Sequence, residues 1–292
     1  MVRGILIPLD GSDAAEQALP VAERLARRTG APLHLATVFV PPEAAELEEE
    51  ARRRLETYME CAGDAARSAH GLAVTTAVLT GAPAVALAHH ARIRHADLVV
   101  MTTHGRGGLS RWWLGSVADR LLRRTTVPVL LLPLRSHAQP IEFHRILVAL
   151  SGEAGDDAVV EHALALAAPA CGATLRLVRV VPASVPMLGP LPAYPTPRGP
   201  DWAGRLALEA RTALARTSGR LDGCGVRVTT EVVASENIAE AVLHAADAMS
   251  ADLIAVGSHG AGAVERLILG SVADKVIRGA GRPVLVVPMV AD

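Results

Sequence analysis

The sequence predicts an α/β protein made of two tandem domains, each an open parallel sheet of five strands with helices on both faces. Three observations carry the prediction. Half of the 292 residues are apolar, but the aromatics are only two Phe, three Trp and two Tyr, so the core must be built from Ala, Val, Leu and Ile. Short β-branched runs alternate with longer amphipathic ones, the pattern of strands joined by crossover helices. The hexapeptide Leu114-Gly115-Ser116-Val117-Ala118-Asp119 returns as Leu269-Gly270-Ser271-Val272-Ala273-Asp274, an offset of 155 residues.

In the first copy the apolar run Ile5-Leu6-Ile7 places a strand near Arg3–Leu9, and further strands are expected near Leu33–Val40, Ala73–Leu79, Asp97–Thr102 and Val127–Leu132. Helices are expected near Asp13–Arg28, Glu43–Ala69, Pro83–Arg94 and Gly115–Arg124. Ser12 or Asp13 offers a capping oxygen, and Pro83 suits a first helical position. The acidic run Glu43 to Glu50, followed by Arg52-Arg53-Arg54, reads as a solvated helix face with i,i+4 pairs. The second copy repeats the strands near Arg145–Leu150, Thr174–Val181, Val226–Val233, Asp252–Gly257 and Pro283–Val287. The domains are therefore 1–138 and 139–292, with Pro133 to Pro140 as linker. Near the chain start the offset is 141 (Ile5 to Ile146), so the second copy carries 14 extra residues. These fall in Pro182 to Pro200, whose seven prolines suit neither strand nor helix and which reads as a surface loop.

Composition excludes several classes. A net charge of −1 provides no overall field for nucleic acid or an anionic membrane, and few aromatics leave few stacking platforms. The apolar stretch Ala163–Leu175 has 13 residues and includes Pro169, against the roughly 20 apolar residues of a membrane helix, so no span is expected. Met1-Val2-Arg3-Gly4 runs into the first strand with no signal-peptide layout. Cys61, Cys171 and Cys224 are scattered and odd in number, and are read as buried small hydrophobes of a reduced, cytoplasmic protein. His89, His90 and His95 lack the i,i+4 spacing of a helical zinc site.

In an open parallel sheet, ligands bind outside the carboxyl ends of the strands where strand order reverses, so candidates follow strands one and four. After strand four the second copy reads Gly257-Ser258-His259-Gly260, then nine residues, then Gly270-Ser271 opening a helix. Glycines let backbone amides approach a ligand, and a helix start with a Ser hydroxyl offers donors to phosphate oxygens. This resembles the glycine motif of the universal stress protein family. The first copy has Thr102, Gly105, Gly115 and Ser116 at those positions, with threonine for the first glycine. The resemblance extends over nearly all of both copies and implies a strand order of 3-2-1-4-5. In one branch of the family it implies ATP, with or without Mg²⁺, held by an Asp at the end of strand one and a Val on strand two. Asp10 and Val38 match in the first copy; Ser151 and Val180 stand there in the second. Gly81-Ala82-Pro83, the family's Gly-x-Pro, becomes Glu236-Asn237-Ile238 in the second copy. Arg106, Arg111, Arg120, Arg123 and Arg124 crowd the first copy's phosphate-binding helix, where the second has Ala261, Arg266, Lys275, Arg278 and Gly279. The first copy is therefore expected to be the tighter site. His104 and His259 read as oriented loop residues without a catalytic partner.

The resulting expectation is a stress-response sensor in which ATP orders the loops after strand four for a protein partner, with at most slow hydrolysis. As in family dimers, the last strands should pair across the two copies as an intramolecular pseudo-dimer, and further association to a homodimer is a secondary expectation. Two readings compete. One is an interaction module with vestigial pockets. The other is an adenylating ATP pyrophosphatase, suggested by Ser151-Gly152-Glu153-Ala154-Gly155-Asp156, where Glu153 and Asp157 depart from that family's Ser-Gly-Gly-x-Asp-Ser loop.

Overall fold

All ten expected strands form. The computed structural model describes residues 2–41, 47–103, 114–134, 142–167, 172–183, 202–258 and 269–289. The first copy contributes β1 (Ile5–Pro8), α1 (Asp13–Glu16), α2 (Leu19–Thr29), β2 (Leu33–Phe39), α3 (Glu48–His70), β3 (Val74–Thr80), α4 (Pro83–Ile93), β4 (Leu98–Thr102), α5 (Ser116–Leu122) and β5 (Val129–Leu132). The second contributes β6 (Arg145–Leu150), α6 (Asp156–Leu166), β7 (Thr174–Val181), α7 (Trp202–Arg220), β8 (Arg227–Ala234), α8 (Ile238–Ala248), β9 (Leu253–Gly257), α9 (Ser271–Gly279) and β10 (Val284–Val287).

Proline and capping explain two of the departures from the sequence expectation, while residues 42–46 of the helix expected from Glu43 lie outside the described residues. The helix expected over Asp13–Arg28 is two helices: Ser12 caps α1 by accepting from Ala15 N, and Pro20, which has no N–H to give, sits in the first turn of α2. β5 starts at Val129, after Pro128. The Glu49–Arg53 and Glu50–Arg54 pairs form on α3 as expected, at 3.7 and 2.5 Å. Cys61 and Cys224 are exposed, against the expectation of burial. Met59, Gly63 and Ala66 turn one face of α3 inward, which leaves Cys61 on the opposite face. His95 lies beyond α4 with a left-handed φ of 51°. Cys171, most of the linker and most of the proline-rich insert lie outside the described residues.

The strands run β3-β2-β1-β4-β5-β10-β9-β6-β7-β8 in a single sheet. Within each copy all pairings are parallel, in the implied order 3-2-1-4-5. The copies meet through β5 and β10, which pair antiparallel, so the two five-stranded sheets continue into one and neither last strand is left as an edge. One hydrophobic layer packs α1, α2, α3, α6 and α7 on one face of this sheet, and a second packs α4, α5, α8 and α9 on the other; each includes residues of both copies.

Polar contacts repeat with the fold. Asp97, just before β4, accepts from Arg3 N and Gly4 N at 2.9–3.2 Å, and Asp252, just before β9, accepts from His144 N and Arg145 N at 3.0–3.1 Å. Each carboxylate thereby ties the start of the copy's first strand to its fourth. Across the junction, Arg28 of α2 donates to Leu166 O at the end of α6 at 2.8 Å. Asp119 pairs with Arg123 on α5 and Asp274 with Arg278 on α9. The hydrogen bond to its own aspartate raises each arginine's pKa, and the other copy's aspartate adds to the effect.

Candidate functional site

With β1 and β4 adjacent at the middle of each copy's strand order, the chain leaves β1 toward β2 and β4 toward β5, in opposite directions. The divergence opens a crevice at their carboxyl ends. In the first copy this crevice is a cavity of about 930 Å³. Asp10 and Gly11 line it from the end of β1, Thr37 and Val38 from β2, Arg54 and Tyr58 from α3, Pro83 from α4, Thr102 from β4, and Gly115 and Ser116 from the start of α5. Of the candidates in this copy, Asp10, Val38, Thr102, Gly115 and Ser116 come together there, while Gly105 lies outside the described residues.

The local geometry has simple causes. Asp10 Oδ1 accepts from Ser12 N at 3.0 Å and Ser12 Oγ at 2.6 Å, which fixes its carboxylate at the cleft while the same hydroxyl caps α1. Thr102, 5% exposed, closes the floor. Gly115 is the N-cap of α5, at φ −57° and ψ 145°, and its N–H donates to Thr103 O at 2.7 Å. Any residue adopts that conformation, so it does not itself demand glycine. Ser116 is the exposed first residue of α5, where the helix N–H groups have no partner within the helix.

Of the arginines expected around α5, Arg106 and Arg111 lie outside the described residues, and Arg120, Arg123 and Arg124 do not line the cleft. Among the described residues the cation at the cleft is Arg54, which sequence reasoning placed on a solvated face. Ala51, Arg54, Leu55 and Tyr58 share one face of α3 at helical spacing, a signal that could have found them. Tyr58 OH donates to Glu16 Oε1 at 2.9 Å and draws α3 toward α1.

In the second copy Gly270 caps α9 at φ −59° and ψ 144°, with its N–H on Ser258 O at 2.6 Å, so the two helix starts match. Gly257 ends β9 opposite Val287, as Thr102 ends β4 opposite Leu132. Ser271 opens α9, Val180 follows the Leu150–Arg179 pair on β7, and Gly260 lies outside the described residues. The loop after β6 is bonded to its own helix. Asp156 accepts from Ser151 N at 2.9 Å, Ser151 Oγ at 3.0 Å and Gly152 N at 2.7 Å. The guanidinium of Arg179 lies against Gly152, in the space a Cβ would take.

The fold and this cleft define a duplicated α/β protein with a crevice at the switch point of its first copy. The model of the universal stress protein family matches residues 1–133 and again 142–288. A universal stress protein of Mycolicibacterium smegmatis is 29% identical over 299 residues, covering 97% of this chain and 96% of that protein. One of Mycobacterium bovis is 30% identical over 244 residues, covering 82% and 77%. The crystal structure of a universal stress protein from Archaeoglobus fulgidus shares the fold at a TM-score of 0.71 and 20% identity, covering 98% and 96%. The chain belongs to the universal stress protein family. Among the described residues no helix is long and apolar enough to cross a membrane.

Proposed function

We propose that the chain binds an adenine nucleotide, ATP foremost, in the cleft of its first copy, and acts as a nucleotide-dependent stress-response regulator read by a protein partner. The carrying observation is that Asp10, Val38, Gly115 and Ser116, far apart in sequence, line one cavity of about 930 Å³. That volume lies in the range of small-molecule sites. The Asp10 carboxylate suits ribose hydroxyls, Val38 offers an apolar wall to the base, and the start of α5 with the Ser116 hydroxyl suits phosphate oxygens. Asp10, Arg54 and Tyr58 are the titratable side chains among the described residues of the lining, a set better suited to binding than to proton transfer, so hydrolysis is expected to be slow and incidental.

The test is to release small molecules from the purified full chain by denaturation, and to titrate ATP calorimetrically into the wild type and a Gly115→Val, Ser116→Ala double variant. ATP or AMP in the supernatant and a lost heat of binding in the variant support the reading. A nucleotide-free protein with no heat of binding leaves the interaction-module reading in its place.

A further inference from the structure

Because the copies superpose by register, the cleft positions of the first can be followed into the second. The pairs Pro8–Ala36 and Leu150–Arg179 set Thr37 and Arg179 at one point of the second strand. The buried positions Ala18, Ala22 and Leu25 recur as Val159, Ala163 and Leu166, which makes Ala15 and Asp156 equivalent. Asp10, Ala15 and Thr37 all line the first cleft, and their counterparts are Ser151, Asp156 and Arg179. A methyl group has become a carboxylate, a hydroxyl has become a guanidinium, and the strand-end carboxylate has become a hydroxyl.

Two of these changes, at Ser151 and Asp156, satisfy each other locally, and the third sets the Arg179 guanidinium against the same loop. The Asp156 carboxylate takes two backbone N–H groups and the Ser151 hydroxyl of the loop after β6, and Ser151 Oγ in turn accepts from Glu153 N at 3.2 Å. Arg179 covers the same loop at Gly152, whose φ of 89° matches the 75° of Gly11 in the first copy. An incoming anion would have to displace a carboxylate tethered one helix turn away, and a ribose would find at Ser151 a hydroxyl already donating and accepting.

We infer that the second copy is a self-liganded site, in which Asp156 and Arg179 occupy the loop that in the first copy faces the cleft, so that the chain takes one nucleotide and not two. Asp156 and Arg179 are the residues that set this stoichiometry. The inference rests on the nucleotide reading of the first cleft only for the single site, not for the closure of the second.

The experiment counts ATP bound at saturation, with Mg²⁺, by equilibrium dialysis of the full chain. The wild type is expected to hold one ATP, and the triple variant Ser151→Asp, Asp156→Ala, Arg179→Thr to gain one, doubling the bound nucleotide. Two ATP on the wild type overturn the inference, as does a triple variant that melts cooperatively and gains none. Should the variant fail to fold, photolabelling of the wild type with an azido-ATP followed by peptide mapping decides: label confined to the first copy, residues 1–134, supports the inference, and label in any peptide of the second copy, residues 135–292, overturns it. A wild type that binds no ATP sinks the nucleotide reading of the first cleft alone. The triple variant then still decides, since one ATP gained supports closure by Asp156 and Arg179 and none gained overturns it.

Discussion

Leu130 and Leu285, equivalent residues of the two copies, stand opposite each other in the antiparallel pairing of β5 with β10. Val129 faces Val286 and Leu131 faces Val284 on either side, so the pseudo-twofold relating the copies passes through this leucine pair. Both side chains are fully buried in the layer that also holds α2 and α6. The junction is therefore core, and it is built from the same residues twice.

Leu130→Ala and Leu285→Ala are each expected to cost about 2–5 kcal/mol in urea unfolding, the range for truncating a leucine in a packed core. Because the two residues are neighbours, the double variant should lose measurably less or more than the sum. Strict additivity would mean that the pair does not share one cavity.

Asp10→Ala removes the carboxylate from the first cleft, and ATP affinity is expected to fall by about 10- to 100-fold, corresponding to the loss of a charge-assisted hydrogen bond. Ser151→Ala, at the equivalent position of the second copy, should leave the calorimetric affinity unchanged.

His34 on β2 is 6% exposed, with Nδ1 at 2.8 Å from Thr75 Oγ1 and no partner for Nε2 among the described residues. Burial holds its pKa below the usual 6.5, and Arg94 and His90 on α4 push it the same way; His90, 9% exposed, is lowered by burial, Arg94 and His89. In acid the unfolded chain takes up these protons before the folded one does, so stability falls as pH drops below about 6.5 and is fully present above it. The urea midpoint should decline from pH 7.5 to 5.5. His34→Leu should flatten that decline; an unchanged slope would remove His34 from the account.

Asp97→Ala and Asp252→Ala each leave backbone N–H groups at the start of β1 or β6 without their acceptor. A loss of about 1–3 kcal/mol is expected for each. Hydrogen exchange should locate the loosened amides at Arg3 and Gly4 in the first variant and at His144 and Arg145 in the second.

Much of this was legible in the sequence because it is periodic or repeated. The strand runs, Ser12 as a cap, Pro83 as a helix start and the paired Leu-Gly-Ser-Val-Ala-Asp segments are local signals, and each stands where expected. The break between α1 and α2 has a local signal in Pro20, which the single helix expected over Asp13–Arg28 leaves unused. Arg54 and Tyr58 were hidden by their neighbours, since a charged run reads as solvent-facing unless the facing elements are known. His34 gave no signal, because burial of one imidazole depends on β3, α4 and the close approach of Gly4, where an added Cβ would stand 3.3 Å from Ala96 Cα.

By itself the sequence determined two copies of one α/β unit, their elements and their family, because hydrophobic period, proline and repeat spacing act along the chain. The joining of the two copies through their last strands was already implied by the family resemblance; only the tertiary structure decided its register, with Leu130 against Leu285, and that the loop after β6 is bonded to Asp156. Those outcomes depend on strand register and on which side chains share a space, and both are set by contacts between residues distant in the chain.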